Sequence, residues 1–238
     1  MFRYLVSAVI ALSSLGFFPA AASPLPSDVA AWWATATSAY GAAKGYQASR
    51  TILRIEELDA SGAVSSYEQG ETRLDWAGPE PRVVVVRAEK DGKDVSAEWR
   101  KRYAKQSRPS SAKEGAAGPP AGFDASPFDP KYSSRVARGD ERASGGVVAV
   151  PYTIATDGGP VEGVARFSSS GAALDASQSW SSPPVFVSYM RSSMRYAYHD
   201  GALVVAGMDI EGEASILFIK KRFRMSFEFS EWRAAAGG

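Results

Sequence analysis

From residue 215 to 231 the chain alternates with period two. Leu217, Ile219, Phe223, Met225, Phe227 and Phe229 take odd positions, with Lys221 among them. Lys220, Arg222, Arg224, Ser226, Glu228 and Ser230 take the even ones. This pattern predicts one strand over residues 215–231, with a dry face and a wet face. At ~3.3 Å per residue it runs roughly 50 Å, and a strand so long must curl because its twist accumulates. The dry face needs a cover, which can be protein, ligand or both.

Upstream, Val29, Trp33, Ala36 and Tyr40 recur at helical spacing. They predict an amphipathic helix over 28–40, with Ser27 as N-cap, Asp28 favourable to the dipole, and Gly41 and Gly45 ending it. Strands follow over 46–58 and 63–76, joined by a hairpin turn at 59–62 whose Gly62 permits positive φ. Arg82 and four consecutive valines then form an apolar run without alternation, which predicts burial on both faces, between the sheet and the first helix. Asp91 and Gly92 turn the chain. A short helix over 96–106 points Trp99 and Tyr103 inward and leaves Arg100, Lys101, Arg102 and Lys105 as a solvated face, or as a basic patch for anionic lipid or an acidic partner.

Residues 107–126 are rich in Ser, Pro, Gly and Ala and lack the apolar content to offset the entropy of ordering. They read as a flexible insertion within one domain, with order returning near Phe128. Strands resume over 135–141, 147–155, 161–168 and 174–180. A meander carrying Met190, Met194, Tyr196 and Tyr198, then Val204, Met208 and Ile210, leads to the final strand. Every connection in this half is short, so the sheet is antiparallel.

The start of the chain adds a location. Arg3, an apolar run over 5–18 and the triplet Ala20, Ala21 and Ala22 read as a secretory signal peptide over 1–22. The run is shorter than the ~20 residues a spanning helix needs. A mature domain over 23–238, soluble in the periplasm, is the expectation. The 27 Lys and Arg balance 26 Asp and Glu, which argues against nucleic acid. The absence of cysteine excludes disulfides, thiol catalysis and thiolate metal sites.

Catalytic chemistry finds little support. His199 is the single histidine; one imidazole cannot build the usual zinc site, and no nucleophile elbow accompanies it. Ser110 to Lys113 matches S-x-x-K, but it falls in the insertion, and a reactive serine needs a rigid setting. Glu56 and Glu57 point to opposite faces of a strand and cannot share a substrate. No phosphate loop or calcium loop is complete. The chain reads as non-enzymatic, with no cofactor and no metal.

The order of elements resembles the outer-membrane lipoprotein-sorting family, which includes the periplasmic lipoprotein carrier, its outer-membrane receptor and related anti-sigma regulators. The residues carrying the resemblance are the segment from Trp180 to Pro184, the cluster from Phe218 to Phe223, and the end from Phe227 to Arg233. The resemblance implies a mainly β fold: a strongly curved antiparallel sheet, an unclosed half-barrel, with helices over its concave face. It also implies an acyl chain or lipoprotein as ligand in a concave apolar groove, for which the dry face of the last strand supplies the candidate residues. The alternative is a protein-binding envelope or regulatory module whose groove is filled by its own helices.

Overall fold

The alternating segments build one antiparallel sheet of twelve strands. The structure is a computed structural model that describes residues 28–77, 81–106, 125–181, 183, 187–216 and 219–235; of residues 105, 106, 216 and 219 it describes the backbone. From the centre to one edge run β1 (Tyr46–Leu58), β2 (Val64–Asp75), β3 (Arg82–Lys90) and the short β4 (Lys93–Asp94). Toward the other edge run β12 (Ile219–Ala234), β11 (Ala202–Ile216), β10 (Val187–His199), β9 (Ala173–Trp180), β8 (Gly159–Ser168), β7 (Val147–Thr156) and β5 (Val136–Arg138). β6 (Arg142–Ser144) also pairs with β7. The two meanders join where β1 pairs with β12, so the first and last strands meet mid-sheet. The two ends of this order do not pair with each other among the described residues, and the result is an open half-barrel.

Residues opposite each other in an antiparallel pair share a face. The register therefore aligns Met208, Phe227, Leu53 and Gly70 in one row, and Ile210, Met225, Ile55 and Glu68 in the next. Both helices lie on this face. α1 (Val29–Ala42) is capped by Asp28, whose carboxylate accepts a hydrogen bond from the Ala31 amide at 3.0 Å. The predicted cap, Ser27, lies outside the described residues; the observed cap is one residue later, and its carboxylate reaches the amide of the third helical residue. Val29, Trp33 and Ala36 are buried as their spacing predicts. Trp33 meets Phe128, Tyr152 and Phe167 with ring centroids 5.1, 6.0 and 6.0 Å apart, so α1 seats over the second half of the sheet. Val148, Val150 and Ile154 on β7, with Phe167 on β8, complete that core.

α2 (Ser96–Gln106) covers the other end of the same face. Trp99 is 2% exposed and packs with Val85, Ala88, Leu53 and Tyr103 in a second, smaller core.

Three expectations are corrected here. The last strand does not run from residue 215: Ser215 and Ile216 end β11, and β12 starts at Ile219, antiparallel to it. Period-two alternation reports faces but carries no sign of a reversal in direction, so the hairpin was invisible in it. The valine run is not buried on both faces: Val83, Val84 and Val86 are exposed, and only Val85 is buried. β3 is near the sheet edge, and its cover is α2 rather than α1. The insertion expected over 107–126 lies outside the described residues as far as 124; Ala125 and Ser126 are fully buried core. A small side chain and a hydroxyl fit beneath α1, where the Ser126 hydroxyl lies 2.9 Å from that of Tyr196. The signal peptide expected over 1–22 also lies outside the described residues, and no described helix is long and apolar enough to cross a membrane.

Candidate functional site

Between the seats of α1 and α2 the inner face of the sheet is floored by β12 and β1. Phe223, Met225 and Phe227 are half-buried there, packing at the margin of the main core. Phe229 is half-buried as well and stacks on Phe227, with ring centroids 6.1 Å apart and planes within 8°. Such i, i+2 stacking requires both rings on one face of an extended strand, which the period-two spacing provides. Across the register stand Leu53 and Ile55 on β1 and Met208 on β11. Among the described residues neither helix has its main seat over this row: α1 packs on β11, and α2 on β3. This half-buried apolar row along β12 is the candidate trough.

Its two ends differ. At the end nearer the β1–β2 hairpin, Lys221 and Glu57 form an exposed ion pair, Nζ to Oε2 at 3.5 Å. At the opposite end a cavity of about 430 Å³ opens beside Phe229, walled by Thr72, Leu74, Val83, Tyr103 and Trp232. Ser49 belongs to the same cavity; it is 4% exposed, and its hydroxyl has no hydrogen-bond partner among the described residues. A buried hydroxyl left unpaired costs free energy.

The wall on the α2 side is fixed by Glu68. Its carboxylate accepts hydrogen bonds from the Trp99 indole and from Arg102, the latter at 2.7 Å. The opposite face of the sheet is polar. There Arg50 donates to Glu71 at 2.7 Å, Arg224 to Glu56 at 3.2 Å and Arg222 to Glu213 at 2.7 Å. The Arg50 hydrogen bond holds the Glu71 carboxyl below its usual range, and Arg222 does the same for Glu213. Ion-paired carboxylates at these positions keep that face wet and leave the apolar substituents to the trough.

Phe223, Met225, Phe227 and Phe229 are thus brought together on the inner face. Leu217 lies outside the described residues, as does the side chain of Ile219, whose backbone opens β12 opposite Ile216. The sequence points Tyr103 inward from its helix and places Trp232 in the closing segment, but it assigns neither these two nor Leu53 and Ile55 to the site. The odd-position alternation of Leu53 and Ile55 was a usable signal, but only the pairing of residue 53 with residue 227 places them beside the aromatic row. His199 sits 3.6 Å from Asp200 and edge-on at 5.1 Å to Tyr46, which itself lines the end cavity. Ser110 to Lys113 lie outside the described residues. No group of three or more His, Asp or Glu able to hold a metal occurs among those described.

No protein-family model matches the chain, and no curated protein matches it by sequence. Among solved structures, a DUF1329 family protein from Desulfovibrio piger is similar at 11% identity and a TM-score of 0.38, with 88% of this chain and 94% of that one covered. MucB in complex with MucA(peri) is similar at 10% identity and a TM-score of 0.22, with 89% and 100% covered. The MucA/MucB complex of Pseudomonas aeruginosa gives the same identity, TM-score and coverage. Likenesses this distant carry neither a family nor an activity over to this chain.

Proposed function

We propose that this chain is a non-enzymatic periplasmic protein that holds an acyl chain, free or as part of a lipoprotein, in the trough along β12. The observation that supports the reading is the half-buried row of Phe223, Met225, Phe227 and Phe229, set between two helices that seat elsewhere on the sheet. Apolar surface of this kind is favourable to cover, at about 25 cal/mol per Å² removed from water. Aromatic rings and the flexible Met208 and Met225 adapt to a ligand of variable conformation better than a rigid aliphatic wall does. The row from Phe223 to Phe229 spans roughly 20 Å of strand, which suits a long acyl chain better than a short one. Among the described residues no nucleophile, base and orienting group converge in the trough, and that supports binding over turnover.

Lipid extraction and native mass spectrometry of protein purified from the periplasm test this reading. The expected result is a mass increment matching an acyl lipid, released on extraction. Protein that is ligand-free as isolated and does not load with fatty acid when offered it would instead favour a protein-binding envelope module with no lipid ligand.

A further inference from the structure

The two edges of the sheet are finished differently. At one, β5 pairs with residues 152–154 of β7 and β6 with residues 147–149. Between them the Pro151 carbonyl accepts from the Gly139 amide at 2.8 Å, so short pieces of chain cover most of that edge. At the other, β4 meets β3 only at Glu89 and Lys90. Over residues 82–88 the outer side of β3 has no strand partner among the described residues.

Open edges are commonly guarded by charge, proline or a bulge. A bulge guards part of this one: the β2–β3 register shifts so that Val86 has no partner on β2. The run from Arg82 to Val85 is regular and holds no proline. Arg82 stands opposite Asp75 in the register, and Arg87 meets Glu71 at 3.4 Å, so cation and carboxylate are matched here.

The valines of this run are exposed on both sides of the sheet. Val83 shares the inner face with Leu74, and Val84 shares the outer face with Arg73; they are 41% and 46% exposed. A bilayer or a flat surface touches a sheet from one side. An added strand sets side chains beside both valines at once, while its main chain fills the open hydrogen-bonding positions. On the inner side Val83 and Tyr103 line the end cavity. On the outer side Val86 lines a hollow of about 460 Å³ with Arg87 and Glu89. Successive side chains of an added strand point first to one side and then to the other.

We infer that the edge from Arg82 to Val85 takes an extended segment of a partner polypeptide as a further strand, apolar where it passes Val83 and Val84. A second copy of this chain fits poorly. α2 packs over β3, where Trp99 shares a core with Val85 and Ala88, so a second β3 brings its own helix with it. Paired strands lie about 4.8 Å apart, whereas packed helices need about 8–10 Å. The inference is independent of the acyl-chain reading.

Two fluorescein-labelled, amidated hexapeptides, one alternating Val with Thr and the other Phe with Thr, are the probes. Each is also made with every second amide N-methylated, in both phases. Fluorescence anisotropy and hydrogen exchange with the mature chain follow binding. At least one unmethylated probe is expected to bind and to slow exchange at residues 82–85. One N-methyl phase weakens binding at least tenfold and the other leaves it unchanged, because only one edge of the peptide faces β3. Val84→Lys also weakens it at least tenfold. Leu174→Lys, at an exposed leucine of β9, does not. Thermal melts establish that both variants fold, and fatty-acid uptake by Val84→Lys matches that of the parent. A parent that binds neither probe, methyl phases that bind alike, or protection on β12 instead of β3 overturns the inference. So does a parent dimer in solution that Val84→Lys dissolves.

Discussion

Trp99 occupies the space that a side chain on Gly70 would fill: a Cβ at residue 70 would overlap the indole ring. The glycine is there for room, since its backbone is not among those with positive φ. Trp99 is 2% exposed and also donates to Glu68, so the helix has little freedom to retreat. Gly70→Ala should lift α2 from β2 and cost about 1–3 kcal/mol, the usual range for overpacking. Urea unfolding followed by tryptophan fluorescence measures it. An alanine variant as stable as the parent would mean that α2 is loosely seated.

Phe128 makes a second test of how the sheet is covered. It is fully buried, with ring centroids 5.1 Å from Trp33, 5.6 Å from Phe167 and 5.3 Å from Tyr196. It joins helix, β8 and β10 at one point. Phe128→Ala should cost about 3–5 kcal/mol in urea unfolding. A loss under about 1 kcal/mol would show that residues 125–128 are an adjustable flap instead of core.

These two residues mark what the sequence could and could not tell. The half-barrel's strands were legible, because alternation such as that from Phe223 to Phe229 reports a strand with two unlike faces. α1 was legible from Val29, Trp33, Ala36 and Tyr40. The burial of Ala125 and Ser126 was not: small residues in a Pro- and Gly-rich stretch look alike whether they lie under a helix or in water. The exposure of Val84 and Val86 was hidden for a related reason. An apolar run predicts burial, but edge position depends on which strands pair, and pairing joins residues as distant as Leu53 and Phe227. The trough was half legible: its β12 row appears in the sequence, but its β1 row, its end cavity and its helical walls depend on register.

Glu71 predicts a pH dependence. The Arg50 hydrogen bond, with Arg87 and Arg73 nearby, holds its carboxyl below the ordinary 4.5 against the opposing effect of burial. A carboxyl lowered in the folded state contributes stability that is fully present above the unfolded value. That contribution is lost as pH falls through the lower folded value. Glu71→Gln removes it, so the variant should be less stable than the parent at pH 7, by up to about 1 kcal/mol for so partly solvated a cluster. The gap should close on acidification below pH 4.5. Urea midpoints measured from pH 7 to strongly acid pH check both statements, and a gap that widened in acid would contradict the sign.

Phe227 lies at the centre of the half-buried row. If the row is a binding surface, Phe227→Ala removes contacts to a ligand more than contacts to the core. The parent should then take up a fluorescent long-chain fatty acid. The variant should bind it at least tenfold more weakly, while its urea unfolding free energy falls by less than about 2 kcal/mol. A packed core predicts the reverse. A parent that takes up no fatty acid, together with a loss of about 3–5 kcal/mol in the variant, would contradict the acyl-chain reading of this face.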